Sequence, residues 1–238
     1  MIGRLPEFLG VGVQKGGTTT LQRLLEQHPG AFLPAAKELH YFSLHFDRGE
    51  AWYREQFAAA SPGQRCGEIT PYYLFHPLAP ARIQALLPQA RLIVLLRDPV
   101  ERALSQYFHS RRLGVEPLEL EPALAAAIGC HRSHQEHSYL ARSCYEQQLP
   151  LFEALFPVEQ LLVLRSEDLF AQPERVWGQV LAFLKLDPWP LPLLAQPANA
   201  GRGEAAAVPE AVRRSLREQL QPTYDWVANR CGITWPHP

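Results

Sequence analysis

A lysine, two glycines and three threonines follow one another in Gln14-Lys15-Gly16-Gly17-Thr18-Thr19-Thr20. A cation, a backbone that can come close, and short hydroxyl donors are together what an oxyanion requires. Arg97 stands directly after the apolar run Leu92–Leu96, with Asp98 and Pro99 behind it and Ser105 about two helical turns further on. A guanidinium offers a planar fork to a phosphate, and a serine adds one more donor. Read alone, Arg97 suits a surface ion pair with Asp98 or Glu101 equally well. Three groups could take up a proton: Glu38 in Lys37-Glu38-Leu39-His40, Glu68 in Cys66-Gly67-Glu68-Ile69-Thr70-Pro71, and His109. Glu68, between an apolar strand and a proline, is expected to be partly buried, which raises a carboxyl pKa.

These residues need elements to hold them. Phe8–Val13 has the aliphatic character of a buried strand, and Thr18–His28 has helical spacing at Leu21, Leu24 and Leu25. The lysine-glycine loop is therefore a strand-to-helix turn, where free backbone N–H groups and the helix dipole favour an anion. Leu92–Leu96 and Leu161–Leu164 read as further strands, and Cys66–Ile69 as a weaker one. Helical patterns recur at Ile83, Leu86 and Leu87, then Ala103, Leu104, Tyr107 and Phe108, then Val176, Val180, Phe183 and Leu184. Asp98 is placed to cap the helix after Arg97. Pro150 and Pro222 fall inside helical patterns and are expected to kink or break them. Aliphatic strands alternating with helices predict an α/β fold with a parallel sheet covered on both faces, in one domain over residues 1–238. The proline- and glycine-marked stretch from Leu186 to Pro209 reads as a long loop over one edge of the site.

The bulk properties narrow the function. The chain has 238 residues, a net charge of −1 and no run of lysine or arginine, so a nucleic-acid partner is not expected. The four cysteines Cys66, Cys130, Cys144 and Cys231 are scattered and read as reduced thiols, and the run from His131 to His137 reads as an exposed loop, so no metal is expected. No stretch suits a membrane span, and the first strand begins too early for a leader, which points to a cytoplasmic protein. Oligomeric state is left open.

A standard ATP loop places its lysine immediately before the hydroxyl residue that holds magnesium. Here Lys15 precedes the glycines instead. In that order the segment resembles the 5′-phosphosulfate loop, K-x-G-T-T, of the sulfotransferases that use 3′-phosphoadenosine-5′-phosphosulfate. The strand-Arg97-Asp98-Pro99-helix-Ser105 arrangement is similar to that family's 3′-phosphate motif, and Asn199-Ala200-Gly201-Arg202-Gly203 resembles its late glycine-arginine loop. The resemblance runs from Phe8 to about Gly203. It implies a P-loop-like three-layer α/β fold and a donor lying across the carboxyl ends of the strands. Lys15, Gly16, Gly17, Thr18, Thr19, Thr20, Arg97, Ser105, Arg202 and Gly203 would bind the donor, with Lys15 beside the bridging oxygen.

On the acceptor side the chain resembles the glycosaminoglycan, heparan sulfate branch and its bacterial relatives. Lys37–Ser43 is similar to their E-x-H-F-F segment, which places Glu38 and His40 near an acceptor, with Tyr72 a further candidate contact. Glu68 falls in a segment resembling a catalytic glutamate stretch, and His109 matches an active-site histidine of the N-sulfotransferase branch. Ile69 stands where many glycosaminoglycan enzymes carry lysine. The expected activity is sulfuryl transfer, without a metal, to a hydroxyl or amine of a small-molecule or carbohydrate acceptor. The aromatics Tyr41, Phe42, Trp52, Tyr53, Tyr72 and Tyr73 could line that acceptor's pocket or simply form core. The rivals are an ATP-dependent kinase, which would need magnesium and an acid to hold it, and a nucleotide-binding module without catalysis.

Overall fold

The computed structural model describes residues 3–127, 137–193 and 203–236. It divides into two compact units, Met1–Leu96 with Leu151–Ala198, and Arg97–Pro150 with Asn199–Pro238.

The first unit is built on a five-stranded sheet in the order β2-β3-β1-β4-β5. The strands are β1 (Phe8–Gly12), β2 (Ala31–Phe32), β3 (Arg65–Ile69), β4 (Arg91–Leu96) and β5 (Leu161–Arg165). Every pairing is parallel. Parallel neighbours require crossovers, which explains the helices α1 (Thr18–Leu25), α2 (Gly49–Glu55) and α3 (Ala79–Leu86) between the first four strands. The strands read as continuous aliphatic runs because both sheet faces are covered. On one face Phe8, Ile93 and Leu95 pack with Leu21, Leu24 and Leu25 of α1 and with Val176, Val180 and Leu184 of a later helix. Side chains of the opposite register, Leu9, Leu92 and Val94, are also buried. Glu68 lies level with Leu9 on the neighbouring strand and is met by Tyr53 from α2. The two-residue β2 escaped the sequence reading because it is too short to show a period.

The second unit contains α4 (Pro99–Arg112) and α5 (Leu120–Ala127), and α6 (Leu149–Glu153) spans the point where the chain returns to the first. α7 (Ser166–Ala171) and α8 (Pro173–Leu184) belong to the first unit, α9 (Glu210–Gln219) and α10 (Gln221–Cys231) to the second. Asp98 caps α4 as expected, accepting the Glu101 N–H at 3.0 Å and the Tyr224 hydroxyl at 2.9 Å. The two prolines stand where helical runs break, as expected: one run stops at Gln147 and another at Gln219, and a new helix opens just before each proline. Pro150 is the second residue of α6 and Pro222 the second of α10, where the missing N–H would have no helical partner anyway. α8 ends at Leu184, where the helical pattern read from the sequence stops.

Arg102 on α4 is fully buried, although it reads in the sequence as one more charged helix residue. Its guanidinium donates to Ser143 Oγ at 2.6 Å, Gln106 Oε1 at 2.9 Å and the Tyr139 carbonyl, all neutral acceptors. Burial holds its pKa down to about 10.

No helix among the described residues is long and apolar enough to cross a membrane. Cys66, Cys144 and Cys231 are outside any disulfide.

Candidate active site

β1 ends in the loop that the sequence singled out, and the loop is fixed by its backbone. The Val13 N–H donates to the Leu95 carbonyl at 3.1 Å and the Gly16 N–H to the Val13 carbonyl at 3.0 Å. The Gly16 carbonyl accepts a buried hydrogen bond from Ser166 Oγ at 2.8 Å. Lys15 and Gly17 both adopt left-handed backbone, φ 71° and 87°. A glycine is required at 16 for a different reason, since a Cβ there would lie 2.6 Å from the Leu95 carbonyl oxygen. α1 then begins at Thr18 with no side chain capping it. That uncapped end is the one where the helix dipole favours an external anion. Thr20 Oγ1 is buried with no hydrogen-bond partner among the described residues. The glycine cradle, the uncapped helix start and this orphan hydroxyl all fit a phosphate or sulfate oxyanion.

The acid candidates of the first unit are linked to this loop. Lys37 donates to Thr19 Oγ1 and lies 3.4 Å from Glu38 Oε1. The other Glu38 oxygen is 3.6 Å from His40 Nε2, and His40 Nδ1 is 3.1 Å from Ser43 Oγ. The His40 N–H reaches Thr70 Oγ1 at 3.4 Å, and that hydroxyl donates to Glu68 Oε2 at 2.7 Å. Glu68 Oε1 accepts the hydroxyls of Tyr53 and Tyr73, each at 2.8 Å. Glu38, His40 and Glu68 thus form one connected set, and Tyr72 joins it with its ring 5.9 Å from His40.

The two glutamates differ in environment. Burial pushes the Glu38 carboxyl upward, but the hydrogen bond to His40 and the charges of Lys37 and His40 outweigh it, so its pKa lies below the ordinary value. Glu68 is only 2% exposed, and burial raises its pKa despite its three hydroxyl partners. Four of the aromatics near these acids are core. Tyr41, Phe42, Tyr53 and Tyr73 are at most 3% exposed, and Tyr41 stacks on Tyr53 at 4.2 Å. Ile69 is 2% exposed within the apolar cluster and points a methyl surface at Gly10, so no acceptor-side cation stands there.

Residues 5–191 match the sulfotransferase domain family. The chain belongs to that family. Two human relatives are heparan sulfate glucosamine 3-O-sulfotransferase 3B1, 35% identical over 77% of this chain and 47% of its own length, and 3-O-sulfotransferase 6, 36% identical over 77% and 53%. This sulfotransferase chain spans about half the length of the curated relatives it matches. A sulfotransferase structure from Alicyclobacillus acidocaldarius superimposes with a TM-score of 0.85 at 26% identity, covering 98% of each chain. The α/β fold expected from the sequence is the family's, and the kinase reading is not favoured.

In the second unit Arg97 opens the segment after β4, and its carbonyl accepts the Tyr145 hydroxyl at 2.8 Å. Ser105 and His109 both lie on α4, partly exposed. His109 is thus in the second unit, whereas Glu38 and Glu68 are in the first. Gly203 has left-handed backbone, φ 84°, and its neighbour Glu204 pairs with Arg112 of α4 at 3.1 Å. Arg202 lies outside the described residues, as does the histidine run except for His137. Among the described residues no group of three or more His, Cys, Asp or Glu could hold a metal. The sequence reading missed Ser166, which pins the loop, and the grip of Thr70, Tyr53 and Tyr73 on Glu68, the two tyrosines having been named only as pocket or core aromatics.

Proposed function

We propose that this chain transfers a sulfuryl group from 3′-phosphoadenosine-5′-phosphosulfate to a hydroxyl or amine of a carbohydrate acceptor, with heparan-type glucosamine the first class to test. The reading rests on one observation above all. A helix start left open by side chains, beside Lys15, is joined through Lys37 to an acid-histidine pair. Family membership and the names of the two human relatives support the donor and the acceptor class.

In the transfer, the acceptor oxygen or nitrogen forms a new bond to sulfur as the bond from sulfur to the phosphate oxygen breaks. The electrons of that bond stay with the phosphate. Lys15 and the N–H groups at the start of α1 stabilise the charge that develops on the leaving oxygen. The acceptor proton passes to Glu38. That glutamate is the accessible one, with about a third of its side chain exposed. Glu68 has every oxygen engaged below the surface and acts as the brace that holds Thr70, Tyr53 and Tyr73. Arg97 and Ser105 keep the 3′-phosphate role that the family resemblance implies, with Arg202 and Gly203 as further contacts. His40 and Tyr72 border the acceptor. His109 remains a candidate through resemblance alone.

The test is calorimetric titration with 3′-phosphoadenosine-5′-phosphate against ATP plus magnesium, followed by transfer of labelled sulfate to a heparan sulfate oligosaccharide. Tight metal-free binding of the bisphosphate, lost in Lys15→Ala and Arg97→Ala, is expected. A preference for ATP with magnesium would overturn the donor assignment. Bisphosphate binding with label transfer only to small phenols or alcohols would overturn the acceptor class.

A further inference from the structure

Lys37 opens the Lys37–Ser43 segment, but the E-x-H-F-F resemblance gives it no role. It lies in the chain between two unremarkable alanines and Glu38, and its charge reads as a solvated neighbour of that acid. The structure gives it a second partner far away in sequence. Its ammonium donates to Thr19 Oγ1, on the second residue of α1, and lies 3.4 Å from Glu38 Oε1.

A partly exposed ion pair between sequence neighbours contributes little by itself. It does not account for the backbone around it. Glu38 and His40 both adopt left-handed conformations, φ 57° and 54°, which are strained for residues with a Cβ. The effect of that double kink is visible in the contacts. One oxygen of Glu38 is turned to Lys37 and the other to His40, while His40 is held in turn by Ser43. A carboxylate gripped at both oxygens keeps one orientation, and its grip on one side is anchored to the donor loop.

We propose that Lys37 is a positioning residue of the transfer reaction, fastening the proton acceptor Glu38 to the donor loop through one ammonium shared between Glu38 and Thr19. Lys37 makes and breaks no covalent bond in this role, and the acceptor proton still ends on Glu38. The inference rests on the assignment of Glu38 as base. The charged groups facing Glu38 are Lys37 and His40 on its own loop. Glu68 of β3 connects to this loop through Thr70, whose hydroxyl the His40 N–H reaches. The charge of Lys37 helps to hold the Glu38 pKa down, after the hydrogen bond to His40 has countered burial.

The experiment compares wild type, Lys37→Gln and Lys37→Arg in full-length protein. Carbon-13 carboxyl labelling of glutamate follows the Glu38 titration, with that resonance identified by its loss in Glu38→Gln. In parallel, calorimetry measures binding of 3′-phosphoadenosine-5′-phosphate. Lys37→Gln is expected to move the Glu38 titration to higher pH and to weaken the bisphosphate by about three- to tenfold, the worth of one ordinary hydrogen bond. Lys37→Arg should restore most of both, and the melting temperature should stay near wild type in each variant. A purely structural role would move the melting temperature and leave the titration alone. An unchanged titration overturns the link to Glu38, and an unchanged bisphosphate affinity overturns the link to the loop. If wild type neither binds the bisphosphate nor transfers sulfate, the transferase reading has failed, and the titration still reports separately on Lys37 and Glu38.

Discussion

Replacing Glu68 by alanine separates a brace from a base. The carboxylate accepts hydroxyl hydrogen bonds from Tyr53 and Tyr73 at 2.8 Å and from Thr70 at 2.7 Å, all in the interior. Alanine would leave three buried donors without their acceptor, at roughly 1–3 kcal/mol each if none found another. The disappearance of the carboxylate's own desolvation cost reduces that sum. A net loss of about 3–5 kcal/mol is the expected scale for one half of a buried polar set removed. At roughly 2–4 °C per kcal/mol for a chain of this size, the melting temperature should drop on the order of 10 °C. Glu68→Gln keeps the shape and one carbonyl oxygen for the two tyrosines, so its cost should stay near 1–2 kcal/mol. Urea unfolding followed by tryptophan fluorescence measures both, and turnover is read well below the melting range. The brace is refuted if Glu68→Ala stays within about 1 kcal/mol of wild type, or if Glu68→Gln folds normally and loses activity as completely as a Glu38 variant.

Lys15→Ala should lower kcat by about 10²–10³, measured by labelled transfer at saturating donor, with little change in melting temperature. Glu38→Gln should cost about 10²–10⁴ in kcat/KM without loss of stability, measured by the same transfer assay and a thermal melt. Because the folded-state pKa of Glu38 is depressed, the acid limb of the wild-type profile should lie below the ordinary carboxylate range. The stability this group contributes is likewise present above the unfolded carboxylate pKa and lost as pH falls through the folded one. Gly16→Ala must push a methyl against the Leu95 carbonyl at 2.6 Å, a backbone contact that cannot rotate away. Bisphosphate affinity, read by calorimetry, should fall at least tenfold as the loop is displaced, on the scale of a strained backbone site.

What the sequence revealed and what it hid follow from the range of each interaction. The anion loop was legible because lysine, glycine and threonine must be contiguous to do its work, and Lys15 and Gly17 take their left-handed conformations within four residues. Glu38 and His40 were named as a pair through the family resemblance, and the structure brings them to 3.6 Å of each other. The tie from Lys37 to Thr19 was not, since it joins a coil segment to a helix start 18 residues away. Ser166 meets Gly16 across 150 residues, a contact that only the finished sheet creates. The breaks at Pro150 and Pro222 were legible because a missing N–H acts locally, ending one helical run and leaving the proline in the first turn of the next. Arg102 broke the rule that arginine faces water, because a ring of neutral acceptors closed round it. The aromatics near Glu38 and Glu68 were left open between pocket and core, and close packing decided for core at Tyr41, Phe42, Tyr53 and Tyr73.

The order of the strands carries a consequence for how the protein is made. β5 completes the sheet by pairing with β4 along its whole length, from Leu92 opposite Leu161 to Leu96 opposite Arg165, and the intervening chain includes all of residues 97–150. On a ribosome, β1, β3 and β4 emerge long before their last neighbour does. Until then β4 presents Leu92-Ile93-Val94-Leu95-Leu96 as an unpaired aliphatic edge, which can template pairing with another nascent chain. Closure of the sheet therefore waits on distant sequence, the condition under which folding is slow. A fragment ending near residue 150 should accumulate as aggregate even though it contains the whole of the anion loop.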